Sequence, residues 1–198
     1  MRDASKPTGV RDARKPITFQ CARRKGLQTG QVQHRIGLKP RLRRQLVPVG
    51  WFARKSREVE TTGYSWTVDG MDLADWIRQR KQTFEPVAPA EETIWLAGST
   101  EDARERLDRL EGRLPPEFSG ERVALLTCEE CGDLGCGALS AELEITADTV
   151  KWERLGWESA TAEEPPFLYD PPLSLAFDTE QYTETLASAR RRLIVDSQ

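Results

Sequence analysis

Residues 122–158 read RVALLTCEECGDLGCGALSAELEITADTVKWERLGWE. Its first six residues, RVALLT, are apolar on both faces, the pattern of a strand covered on each side. ALSAELEIT (138–146) alternates: Leu139, Ala141, Leu143 and Ile145 fall on one face, Ser140, Glu142, Glu144 and Thr146 on the other. That is the signature of a strand with one wet face. Asp148 turns the chain into TVKWERLGWE (149–158), with Val150 and Trp152 on the core side. Consecutive strands joined by turns this short pair antiparallel.

Working outward, YSWTV (64–68) reads as a strand, Asp69-Gly70 as a turn and Asp72 as the cap of a helix over LADWIRQRKQ. TIWLAG (93–98) is a second short strand. Ser99 or Thr100 caps the helix TEDARERLDRLEG, anchored by Leu107 and Leu110 and ended by Gly112. Downstream of a Pro-rich excursion at 159–172, LSLAFD (173–178) is a last strand. Asp178 and Gln181 form a capping box for the final helix, TEQYTETLASARRRL. Strands that follow one another through hairpins, with helices set between and after them, predict an α+β fold: a mainly antiparallel sheet with about three helices packed on one side. Trp66, Trp76, Trp95, Trp152 and Trp157 are expected in the core.

The net charge of −3 over 198 residues hides a division. Residues 1–58 hold 16 Lys and Arg against three acids, and the remaining 140 residues hold 13 basic against 29 acidic groups. The first segment, interrupted by Pro and Gly and without helical or strand period, is expected to be disordered. Three readings fit it: a basic arm for nucleic acid, upstream text translated from a start assigned ahead of the true one near Val59, or, less well, a transit peptide. The expected folded domain is therefore residues 59–198. Mean hydropathy is −0.60, and no run of about 18 apolar residues occurs. With no apolar signal region at the N-terminus, the expected location is the cytoplasm, where thiols stay reduced.

Three of the four cysteines, Cys128, Cys131 and Cys136, sit within TCEECGDLGCG. CxxC followed by Gly is half of a zinc ribbon, and Cys136 adds a third thiolate. A fourth ligand is harder to place: Cys21 and His34 lie in the segment expected to be disordered, which leaves Asp133 or Glu130. A redox pair needs the cysteines at a helix N-terminus, and Gly-Asp-Leu-Gly does not propagate a helix. The plain alternative is a hairpin turn in which Gly132, Gly135 and Gly137 supply positive φ and the thiols pack as small hydrophobes.

A domain without histidine after residue 58 excludes Ser-His-Asp and Cys-His catalysis there. Neither GxGxxG nor GxxxxGK[ST] occurs. In the loop after residue 158, Phe167 and Tyr169 stand beside Glu163, Glu164 and Asp170, apolar anchors with charged surroundings.

The cysteine turn, the Trp-bearing strand TVKWERLGWE and the helix start FDTEQY together resemble a group of bacterial, largely actinobacterial, proteins with a CxxCGDxGCG turn. The resemblance spans about residues 120–192. Some members carry oxidoreductase labels. The group has no established activity, so the resemblance implies no catalytic residue. The leading expectation is a non-catalytic binding module for a basic protein partner. The alternative is a metal- or thiol-dependent protein that uses Cys128, Cys131 and Cys136 and holds zinc or a disulfide. Nucleic acid enters only if residues 1–58 are genuine, and no membrane partner is expected.

Overall fold

The computed structural model describes residues 32–49, 55–80, 93–94, 100–128 and 132–195. The chain is α+β, built on antiparallel pairing. β1 (Ile36–Val49) and β2 (Lys55–Val68) form a hairpin in register from Ile36↔Val68 to Val49↔Lys55, and β3 (Met71–Asp72) pairs with the end of β2. The larger sheet runs β4 (Thr93–Ile94), β5 (Arg122–Cys128), β6 (Ala138–Ile145), β7 (Thr149–Glu158), β8 (Phe167–Leu168), with β9 (Leu175–Asp178) also on β7. The helices are α1 (Leu73–Arg80), α2 (Thr100–Leu110) and α3 (Thr179–Val195). No helix among the described residues is long and apolar enough to cross a membrane.

The expected hairpin through the cysteine turn is present: β5 and β6 pair antiparallel from Arg122↔Glu142 to Thr127↔Ala138. Asp72 caps α1 by accepting the Ala74 amide at 3.1 Å. Gly112, at φ +69°, ends α2 where a side chain would be strained. The core is aromatic. Trp152 stands edge-on to Trp66 (5.8 Å), Phe177 (4.9 Å) and Tyr182 (6.1 Å), the geometry that ring quadrupoles favour. Trp66, Trp76 and Trp152 are buried as expected, Trp157 is half-buried, and Trp95 lies outside the described residues.

The segment expected to be disordered is corrected from residue 34 onward, for the stretches the structure describes. The boundary set at residue 59 falls inside β2, and residues 36–49 are its partner strand. Apolar residues recur at period two through Ile36, Leu38, Leu42 and Leu46, broken by Arg44 and two prolines. Pro40 and Pro48 are tolerated because β1 is the edge strand. Ile36 is 2% exposed and belongs to the core. A chain begun near Val59 would lack this strand. Residues 1–31 lie outside the described residues.

His34, set aside with that segment, belongs to the fold too. Its amide donates to the Ala176 carbonyl (2.7 Å), and its Nδ1 meets Asp69 Oδ2 at 2.7 Å. Asp69 also accepts the Arg35 amide (2.8 Å). Burial of Asp69 opposes ionisation, but the Arg35 and His34 hydrogen bonds outweigh it and hold its carboxyl below the ordinary value. The FDxxQY start explains how the early strand is held. Asp178 accepts the Gln181 amide (2.9 Å), half of the expected capping box. The Gln181 side chain instead grips Ile36 at both backbone groups, donating to its carbonyl (2.6 Å) and accepting its amide (3.2 Å). Tyr182 donates to the Leu110 carbonyl (3.2 Å) and so ties α3 to the end of α2.

Candidate functional site

The cysteine turn closes the β5–β6 hairpin. Cys128 ends β5, its backbone paired to Thr93; Cys131 lies outside the described residues; Cys136 ends a single 3-10 turn, Leu134–Cys136, and is exposed. The described half of the turn is held from several sides. Asp133 accepts the Gly135 amide at 2.7 Å. The Gly135 carbonyl accepts from Ser159 Oγ (2.8 Å), and the Leu134 carbonyl accepts the Ala160 amide (3.0 Å). Gly137 has φ +106°, and a Cβ there would lie 2.5 Å from the Trp157 indole. Glycine is required at 137 for backbone conformation and for close approach to that ring. Gly132 also has positive φ, whereas Gly135 does not; its smallness leaves room beside Asp133 and Thr161. The 159–162 segment therefore docks the turn, a partnership between two stretches 24 residues apart that local spacing does not announce.

Arg106, which sequence reasoning passed over, reaches the same turn from α2. It is 9% exposed and donates to Thr127 Oγ1 (2.9 Å) and to the Gly132 carbonyl (2.6 Å). Burial lowers its guanidinium pKa. Beside it, burial raises the Glu117 carboxyl, which accepts the Ala124 amide (3.3 Å) where the β5–β6 register shifts. Among the described residues no group of three or more His, Cys, Asp and Glu is placed to hold a metal ion. Asp133, considered above as a fourth ligand, already spends one carboxylate oxygen on Gly135.

A second charged cluster fills the sheet face that was expected to be wet. Arg122 is 3% exposed. Its guanidinium donates to Ser140 Oγ (2.8 Å), the Ser140 carbonyl (3.1 Å), Glu158 (2.7 Å) and the Arg154 carbonyl (2.9 Å). Ser140 in turn donates to Glu158. Arg154 lies at φ +51° in a bulge of β7. Ser140 is fully buried, not solvated, while Ile145, expected in the core, is 43% exposed at the strand's end. The cluster uses its polar groups on itself.

The acidic loop divides differently from expectation. Phe167 is 46% exposed, but Tyr169 is 5% exposed and part of the core. Burial pushes its phenol up to about 12. Tyr169 therefore braces Phe167 edge-on (6.4 Å) and is not itself a surface anchor. Glu163, Glu164 and Asp170 are exposed. On β6 the carboxylates are offset within the sheet: Glu142 pairs with Arg154 and Glu144 with Lys151, each at 2.8 Å. The Glu144 hydrogen bond holds the Lys151 ammonium above its ordinary range.

No protein-family model matches this chain, and comparison with curated proteins and solved structures returns no match either.

Proposed function

We propose that this chain is a cytoplasmic binding module that takes a cationic protein surface on its 163–170 loop. One observation carries the reading: Phe167, 46% exposed, stands edge-on to a buried Tyr169, in a stretch (159–172) that carries exposed Glu163, Glu164 and Asp170 and no Lys or Arg. An apolar anchor with unneutralised charge around it suits a small hot spot that steers and then seats a basic partner. The acids of β6, by contrast, are offset by Arg154 and Lys151 and add little. The test is affinity capture at low salt by the native chain and by the triple variant Glu163→Gln/Glu164→Gln/Phe167→Ala. The native chain should retain a basic protein that rising salt releases and the variant does not retain. Equal capture by both chains refutes the loop as the site.

A second reading rests on the docked turn. A loop fixed by Ser159, Ala160, Asp133 and Arg106 supports a thiol site in which Cys128, Cys131 and Cys136 hold zinc or exchange a disulfide. About one zinc per purified chain, lost on Cys131→Ser, favours it; metal-free protein with its thiols titrating independently removes it.

A further inference from the structure

The outer edge of the β1–β2 ribbon reads the same in both directions, and backbone bonds fix which residues form it. The Arg35 carbonyl accepts the Asp69 amide from the β2 side (2.8 Å). The Gln181 side chain, joined by Thr185 (3.4 Å), instead takes both backbone groups of Ile36 from the side away from β2. Successive residues of a strand turn their backbone groups to opposite sides. The β1–β2 register runs without a shift from Ile36 to Val49, so odd-numbered residues of β1 bond to β2 and even-numbered ones turn their amides and carbonyls outward. Among the described residues β1 pairs with β2 alone. Along the outer edge stand Leu38, Pro40, Leu42, Arg44, Leu46 and Pro48. Gln181 closes that edge at Ile36, and the prolines have no N–H to offer. Between Pro40 and Pro48 the outward amides are those of Leu42, Arg44 and Leu46. The order Pro-x-Leu-x-Arg-x-Leu-x-Pro is symmetric about Arg44.

We propose that two copies of this chain dimerise along this edge, β1 pairing antiparallel with β1 of the partner about a two-fold axis at Arg44. In that register Leu42 meets Leu46 of the partner subunit and Arg44 meets Arg44 of the partner subunit, each pair exchanging two N–H···O bonds. Pro40 then meets Pro48 of the partner subunit. Neither has a donor, so the ladder ends on both sides without stranding an amide. An isologous contact needs an edge that complements itself under two-fold rotation, and this spacing of prolines and donors meets that demand. A foreign strand would impose no such symmetry. The Cα register sets Glu60 beside Arg44 within each copy, so the row that crosses the axis holds two residues of each sign. Prolines on both sides also keep further strands from adding to the same edge. The inference depends on neither the 163–170 loop nor the cysteine turn.

The experiment is sedimentation velocity of the full chain under reducing conditions across a concentration series. A ladder this short makes a small, transient interface, so the native chain should pass from monomer to dimer within about 1–300 μM. Arg44→Pro removes the amide on the axis and none that bonds to β2. It should keep the native circular dichroism and weaken self-association roughly tenfold or more. Pro40→Thr/Pro48→Thr supplies donors at both ends of the ladder and should tighten self-association roughly threefold or more. A native chain that stays monomeric throughout, or an Arg44→Pro variant that dimerises like it, would overturn the proposal. So would an unfolded Arg44→Pro variant, which would put that amide inside the β1–β2 ladder, or a Pro40→Thr/Pro48→Thr variant that associates no more tightly than the native chain.

Discussion

Two antiparallel hairpins of this chain each hold an arginine, and they hold it differently. In β5–β6 Arg122 is buried and its guanidinium is saturated by Ser140, Glu158 and the Arg154 carbonyl. In β1–β2 Arg41 stays about a third exposed and meets the buried Asp72 at 2.6 Å. The first hairpin uses charge as structure, because a desolvated ion is tolerated only when its partners are complete. The second leaves charge where a partner or salt can reach it. The same residue type thus promises sensitivity to mutation in one hairpin and sensitivity to ionic strength in the other.

The largest expected effect tests whether the ribbon belongs to the fold. Deleting residues 1–58 removes β1 and with it Ile36 and the strand partner of Tyr64 and Trp66. The truncated chain should show no cooperative melting transition by circular dichroism at 25 °C and above. A transition like that of the native chain would mean the ribbon is an appendage, and the comparison would collapse.

Next in size is the buried ion. Arg122→Ala leaves the charge of Glu158, 8% exposed, without its cation and with only the Ser140 hydroxyl as donor. Loss of about 3–5 kcal/mol in urea unfolding is expected. Removing both charges with Arg122→Met/Glu158→Met should recover much of that loss, because no uncompensated charge then remains buried. A single variant as stable as the native chain would place Arg122 among the ordinary surface arginines and erase the contrast.

What was legible in the sequence follows the same line. The β5–β6–β7 meander could be read because its apolar positions alternate without interruption and glycines mark its turn. The β1–β2 hairpin alternates as well, but Arg44, Pro40 and Pro48 occupy positions of the apolar face, so the period is masked. Edge strands accept proline, a tertiary permission that local pattern does not carry. The same holds at the candidate site. Cys128, Cys131 and Cys136 stand out by spacing, while Arg106, Ser159 and Ala160 hold the turn from elements 21 to 26 residues distant in the chain. Gln181 was seen as a capping residue, yet its side chain serves a strand 145 residues away.

That side chain gives the third prediction. Gln181→Ala removes two hydrogen bonds to the Ile36 backbone: the partly buried amide loses the Gln181 side chain, and the carbonyl keeps only the longer Thr185 contact (3.4 Å). A loss of about 1–3 kcal/mol is expected. Hydrogen exchange should speed at Ile36 and its neighbours more than in β6, since the anchor lies at the ribbon's base. Uniform acceleration through both hairpins would show that they unfold as one unit and that the comparison does not extend to local stability.

The smallest effect concerns pH, and it separates the hairpins by kind of sensitivity. Glu117 lies beneath the register shift of β5, where burial raises its carboxyl above the ordinary glutamate value despite the Ala124 amide and the nearby Arg109 and Arg106. A raised carboxyl is bound more tightly by its proton in the folded chain than in the unfolded one. Its contribution to stability is therefore complete below the unfolded value, near 4.5, and is lost as pH rises through the folded value. Glu117→Gln keeps an oxygen for the Ala124 amide and removes the titration. In melting experiments from pH 4 to pH 7, the native chain should lose stability relative to the variant as the carboxyl ionises. Salt should change this difference little, because the group is mostly out of water. A Glu117→Gln curve parallel to the native one at every pH would remove the buried carboxyl from the account and leave Arg122 as the sole support for structural charge in β5–β6.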